Sequence, residues 1–269
     1  MDRLVDYAGP RAHGKPLVRL TLNSPHNRNA LSATLVNQLH QGLRDAAADP
    51  VVRAVVLDHT GNTFCAGADL SEGSATTGAD PAEMAAERAR EMAALLRAIV
   101  ESPLPVIVAV DGHVRAGGMG LVGACDIAVA GPRSTFALTE ARIGVAPAII
   151  SLTLLPKMSA RAAARYYVTG ETFDATTAAA IGLITMAADD VDAAVASLVA
   201  DIGRASPQGL AASKALTTAA ILDGFDRDAE RLGAESARLF VSDEAREGML
   251  AFLQKRPPQW ASQQGSDTV

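Results

Sequence analysis

Residues 105–144 read PVIVAVDGHVRAGGMGLVGACDIAVAGPRSTFALTEARIG, and the fold follows from their pattern. The apolar run 105–110 reads as a strand, and Asp111-Gly112 ends it. The chain then passes through Ala116-Gly117-Gly118-Met119-Gly120 into a further apolar segment. Glycines at a strand-to-helix turn let backbone amides approach a ligand with no side chain in the way. A second strand-like run follows, and Glu140 then stands as a lone carboxylate in an apolar, hydroxyl-rich neighbourhood. A donor-rich turn followed by an isolated carboxylate has the makings of an oxyanion hole and its base. It equally fits a tight packing turn and an acid at a helix start.

Upstream, 17–22 alternates apolar and polar residues as a strand does, and NSPHNRNALS (23–32) is turn chemistry. Ser32 is placed to cap a helix whose Leu35, Val36, Leu39 and Leu43 share one face. Asp49-Pro50 stops that helix, and 51–57 reads as a buried strand, which gives a βαβ layout. Next comes HTGNTFCAGADLSEG, in which the small residues of Ala66-Gly67-Ala68-Asp69 would let the Ala68 amide face a ligand. The plain alternative is a close-packed turn with Asp69 capping a helix. Residues 71–80 are loop-like, and a helix over 81–101 leads back to the central strand.

Downstream, 145–155 is apolar around Pro147. Ser159 opens a helix that ends at Thr169-Gly170. A short helix over 178–182 precedes a strand over 183–186 and an Ala-rich helix over 189–205. Ser206-Pro207 opens a helix over 208–222, Asp223-Gly224 separates it from another over 225–241, and Ser242 opens the last, to 254. There is no internal repeat, and 259–269 reads as a polar tail.

Composition narrows the function classes. The chain has 269 residues, 49% of them hydrophobic and only 4% aromatic, so its core is built from Ala, Val, Leu and Ile. A net charge of −6 with no long basic run argues against nucleic acid as a partner. Two cysteines, Cys65 and Cys125, in a chain of this length point to a reducing compartment rather than a disulfide scaffold. The N-terminal MDRLVDYAGPRAHGK has no apolar leader core, and no membrane-spanning run follows. A soluble, cytoplasmic protein is expected, with no metal.

In order along the chain, NSPHNRNALS, TFCAGADL (63–70), PVIVAVDGHVRAGGMGLVGACDIAVA (105–130) and FALTEARIGVAP (136–147) resemble the enoyl-CoA hydratase/isomerase (crotonase) family. So do TGETFDATTAAAIGLI (169–184), SPQGLAASK (206–214) and EGMLAFLQKRPPQW (247–260), so that the likeness covers nearly the whole length. It implies an α/β fold, a crotonase-like spiral of ββα units over 1–190 for acyl-CoA binding and catalysis. A helical oligomerisation region over 191–269 follows, with homotrimers or dimers of trimers. It implies an acyl-CoA substrate, coenzyme A entering as its thioester, and no required cofactor. Two backbone amides matching Ala68 and Gly117 would polarise the thioester carbonyl, since proton removal beside a thioester puts charge on that oxygen. Backbone at Ala66, Gly67, Ala68, Asp69 and Leu70 would meet the CoA adenine, and Phe252 and Lys255 would reach the CoA of a neighbouring subunit. Ala148, Ile149 and Leu152 are acyl-pocket candidates or, equally, plain core.

The departure from the family pattern carries as much information. Hydratases of the family usually carry two glutamates, and Glu140 matches the second. The first position holds Gly120. Hydration needs water held between a group that takes a proton and one that gives it. A single carboxylate can instead carry a proton between two carbons of the acyl chain, as the family's Δ3,Δ2-enoyl-CoA isomerases do. The family's commonest activity makes enoyl-CoA hydration the expectation. Isomerisation with Glu140 as base, or a catalytically weak acyl-CoA binder, are the alternatives. His113 reads as a surface or hydrogen-bonded structural residue, and Arg115 as a salt-bridge partner within the trimer or a contact for an acidic acyl group. A serine hydrolase is disfavoured, because Ser134 and Ser151 carry no nucleophile motif.

Overall fold

A computed structural model of the chain describes residues 2–69 and 80–262. In chain order the strands begin with β1 (Val5–Ala8), β2 (Leu17–Leu22), β3 (Ala54–His59), β4 (Thr63–Cys65) and β5 (Val106–Val110). They continue with β6 (His113–Arg115), β7 (Ile127–Ala130), β8 (Thr135–Ala137), β9 (Phe173–Asp174) and β10 (Met186–Ala187). The larger sheet has the order β1-β2-β3-β5-β7-β10 and the smaller β4-β6-β8-β9. Successive pairs β3/β4, β5/β6 and β7/β8 thus send one strand to each sheet, and the chain advances as a spiral of ββα turns. From β2 through β10 the larger sheet is parallel, so both of its faces must be covered.

Strand β5 shows how that is done. Val106, Val108 and Val110 enter one apolar cluster with Leu95, Leu96 and Ile99, while Ile107 and Ala109 enter another with Val129, Val195 and Val199. Alternate residues point to opposite faces, and each face meets its own helices.

The first helices are α1 (Pro10–His13), α2 (Ala33–Ala48), α3 (Pro81–Glu101), α4 (Gly117–Ala124) and α5 (Ser151–Leu154). After them come α6 (Ala160–Thr169), α7 (Ala175–Ala180), α8 (Val191–Ile202), α9 (Pro207–Phe240), α10 (Asp243–Leu253) and α11 (Gln259–Ser262). Ser32, Ser159, Ser206 and Ser242 accept the expected capping bonds from N–H groups three residues on. The cap of α3 is Asp80. The Asp69 carboxylate instead accepts from Asn27 Nδ2 at 3.1 Å.

Several boundaries differ from the sequence reading. The short helix expected over 178–182 is α7, Ala175–Ala180, and the strand expected over 183–186 is β10, Met186–Ala187. The expected break at Asp223-Gly224 does not occur, and α9 runs through it for 34 residues. A mid-helix Gly costs about 1 kcal/mol. Packing outweighs this, because α9 buries Lys214, Thr218, Ile221, Phe225 and Ala237. Strand β3 starts at Ala54 rather than 51, leaving Val51 in an exposed turn. Strand β6 was hidden from pattern reading, since His-Val-Arg carries no periodicity. It forms by pairing with β4 and β8. No described helix is long and apolar enough to cross a membrane.

Candidate active site

Strands β4, β6 and β8 run parallel, with Cys65 opposite Val114 and Arg115 opposite Ala137. Their carboxyl ends therefore release 66–69, 116–120 and 138–140 at one edge of the smaller sheet. That edge is where ligands bind in open parallel sheets.

The first two segments touch. Gly67 has φ +93°, and a Cβ there would lie 2.8 Å from the Ala116 Cβ and 3.4 Å from the Gly117 nitrogen. Only glycine allows both the conformation and the approach. Ala116 itself sits at φ 46°, ψ −120°, a strained conformation for a residue with a Cβ. It caps α4 and leaves the Gly117 N–H in the first turn, where no intrahelical acceptor exists. Among the described residues no acceptor pairs with the N–H of Ala68 or of Gly117.

The 23–32 segment braces this turn. Leu31 N–H donates to Gly67 O at 2.8 Å, Asp69 N–H to Leu31 O at 3.3 Å and Ala66 N–H to Arg28 O at 3.1 Å. Buried Asn29 donates from Nδ2 to the carbonyls of Thr60 and Thr63. The cluster read only as turn chemistry thus fixes the frame of 66–69, a role that local pattern does not reveal.

Glu140 opens a 3₁₀ turn, Glu140–Ile143, that follows β8. Its side chain is buried and its Oε2 has no hydrogen-bond partner. Burial pushes the carboxyl up to about 7, against the opposing pull of its own backbone N–H. Helix α10 holds the turn in place from behind. Gly144, at φ +77°, faces the backbone of Glu244 and Ala245, and Gly248 faces that of Ile143. Tyr167 and Ser151, unassigned by pattern reading, complete the surroundings. Ser151 Oγ donates to Pro147 O at 2.7 Å and lies 3.1 Å from the Tyr167 hydroxyl. Burial pushes Tyr167 up to about 12, opposed by the Ser151 bond, and the Glu140 charge adds to the rise. Tyr167 also lines an apolar cleft of ≈ 440 Å³ with Leu155, Met158, Ala160, Ala163 and Ala164.

Gly120 points at a filled space. A Cβ on it would lie 2.5 Å from Ile150 Cγ2 and 3.3 Å from Met92 Cε. Its carbonyl accepts from Thr153 Oγ1 at 3.0 Å, which ties α4 to α5. Ala148, Ile149 and Leu152 are buried.

Other candidates take plainer places. Arg115 donates to Val114 O, Thr135 O and Thr135 Oγ1, and His113 Nδ1 lies 2.8 Å from the same Thr135 hydroxyl. Ser134 Oγ donates to Val110 O. Phe252 and Lys255 stand exposed at the far end of α10, away from hydrogen bonds to the glycine turns. Leu70 lies outside the described residues. Among the described residues, no group of three or more His, Cys, Asp or Glu side chains could hold a metal ion.

A family model described as enoyl-CoA hydratase/isomerase matches residues 13–263. The chain belongs to that family. A solved enoyl-CoA hydratase from Mycobacterium avium is 77% identical, with a TM-score of 0.90 over 97% of this chain and 100% of that one. A probable enoyl-CoA hydratase of Bacillus subtilis is 30% identical over 90% of this chain and 93% of its own length. A cyclohexa-1,5-dienecarbonyl-CoA hydratase of Thauera aromatica is 30% identical over 91% and 92%. The family fold expected from the motifs is the fold observed.

Proposed function

We propose that this enoyl-CoA hydratase/isomerase family member acts on an enoyl-CoA thioester with Glu140 as its one proton-carrying carboxylate. The observation that carries this is the state of Glu140: buried, with Oε2 unpaired and its carboxyl at about 7, while Ile150 and Met92 occupy the space a side chain at Gly120 would enter. A base held near neutrality takes and returns a proton at little cost in either direction. On a 3-enoyl thioester, Glu140 takes a proton from C2 and the electron pair moves into the thioester carbonyl. The N–H groups of Ala68 and Gly117 hold the resulting oxyanion. Glu140 then gives its proton to C4 and the double bond ends between C2 and C3. Backbone at 66–69, Phe252 and Lys255 would bind the CoA moiety, in a cytoplasmic homotrimer or dimer of trimers.

Hydration of a 2-enoyl-CoA is the second reading, and the hydratase names of the relatives favour it. It needs a water activated without a second carboxylate at position 120. The two readings separate in one pair of assays. Conjugated-thioester absorbance should appear when a 3-enoyl-CoA is supplied, and Glu140→Gln should abolish it. Crotonyl-CoA absorbance should persist. Rapid loss of crotonyl-CoA without isomerisation would replace the first reading by the second.

A further inference from the structure

We infer that Ile150, rather than the glycine opposite it, sets which reaction Glu140 catalyses, a deepening that rests on the single-carboxylate reading above. Position 120 sits in the first turns of α4, and its Cα–Cβ direction runs into the branched side chain of Ile150. Methyl Cγ2 and Cβ of Ile150 lie 2.5 Å and 2.9 Å from the site of a Cβ, closer than real side chains approach. Met92 closes the remaining side at 3.3 Å.

Ile150 cannot easily retreat. It is 5% exposed, its carbonyl accepts from Leu154 N–H and from Thr153 Oγ1, and Thr153 is tied in turn to Gly120 O. A β-branched side chain is also stiff at χ1. The pair is therefore one packing unit: a glycine on α4 and a branched apolar residue entering α5. A side chain at 120 forces Ile150 to shift, and the space its Cβ would enter is occupied by the hydrocarbon of Ile150 and Met92. Proton transfer within the acyl chain proceeds in such a wall. Addition of water, with OH to C3 and H to C2, requires the wall to open. Ile150 is in this sense a positioning residue that acts by excluding water and acid from the space beside Gly120.

The test has a packing half and a reaction half. In the packing half, Gly120→Ala is made alone and together with Ile150→Ala. The added methyl should lower Tm sharply when Ile150 is present and hardly at all when it is truncated, because contacting sites couple. An equal fall in both backgrounds overturns the inference. In the reaction half, Gly120→Glu is compared with Gly120→Glu/Ile150→Ala, reading crotonyl-CoA hydration and 3-enoyl-CoA isomerisation on the same preparations. The paired variant should hydrate about a hundredfold faster than Gly120→Glu alone, the scale of one added acid–base group. The ratio of hydration to isomerisation should rise with it, which loss of stability alone does not produce. Equal hydration by the two variants overturns the inference. Wild-type protein that hydrates crotonyl-CoA but does not isomerise overturns the functional reading instead, and the packing half still stands or falls by itself.

Discussion

Among the described residues, Glu140 and Lys214 are the two charged residues buried in this protein, and their surroundings are opposites. Lys214 reaches from α9 to donate to Ile99 O at 2.9 Å and Leu104 O at 3.0 Å, and pairs with Asp126 at 2.7 Å. Burial pulls its ammonium down and Asp126 pushes it back up. Asp126 in turn accepts from Val106 N–H at the start of β5. Glu140 has its own backbone N–H and one oxygen with nothing to meet. A buried charge whose every donor is satisfied joins elements. A buried charge left unsatisfied is costly, and such a cost persists where a partner is meant to arrive with the substrate.

The contrast breaks most sharply at Glu140. Glu140→Gln keeps shape and burial but removes the proton carrier, so turnover of an enoyl-CoA should fall by about 10²–10⁴-fold. Thermal stability should not fall with it. A variant retaining full rate in the absorbance assay would transfer the base role elsewhere and end the contrast.

Lys214→Met should do the reverse. It strands the Asp126 carboxylate and two carbonyls, and breaking a buried pair by removing one partner costs about 3–5 kcal/mol. Denaturant unfolding should show that loss, while activity per folded molecule survives. Truncating both partners, Lys214→Met with Asp126→Leu, should recover part of the stability, because an apolar pair replaces an ionic one at little cost. If Lys214→Met lost activity with no change in unfolding midpoint, Lys214 would belong to the chemistry after all.

How far the sequence reveals this contrast depends on the range of the forces involved. Ser32, Ser206 and Ser242 were readable as caps because capping acts within three residues. The alternation of β2 was readable because neighbouring residues on a strand face opposite sides. Glu140, Ala68 and Gly117 became candidates through the order of motifs along the chain, and parallel pairing of β4, β6 and β8 brings their segments to one edge. What stayed hidden is contact across long separations. Nothing local in PAIIS announces that Ile150 fills the space beside Gly120, or that NSPHNRNALS straps the 66–69 turn. The uninterrupted α9 was misread because Asp-Gly is a strong local breaker, and the burial of Phe225 that overrides it is a tertiary effect.

A smaller effect tests the charge state of Glu140 rather than its presence. Its carboxyl lies at about 7 in the folded protein against 4.5 ordinarily. Below the ordinary value it is protonated in both folded and unfolded chains and costs nothing. Between the two values the unfolded chain gives up its proton while burial makes the folded protein keep it, and above the folded value both are ionised and the penalty is complete. Wild-type stability should therefore fall between about pH 4.5 and 7 from this group, by on the order of 3 kcal/mol. Glu140→Gln should be the more stable protein at pH 8 and indistinguishable at pH 4 by urea unfolding. Parallel curves for the two proteins across that window would mean that the carboxylate finds a partner on ionising.

The smallest expected effect compares one lysine with another. Lys255 follows α10 at φ +52°, exposed, with no ion-pair partner among the described residues. An exposed ammonium meeting a CoA phosphate is strongly screened and contributes about 1 kcal/mol or less. Lys255→Ala should therefore raise KM for an acyl-CoA several-fold and leave kcat and the unfolding midpoint unchanged. The increase should shrink as salt is raised, and it should be absent with a short pantetheine thioester that lacks the adenosine phosphates. Lys214→Met offers the mirror image, a shifted midpoint with an unshifted KM. If Lys255→Ala lowers stability or reduces kcat, the exposed cation is holding α10 against the Glu140 turn rather than holding the ligand.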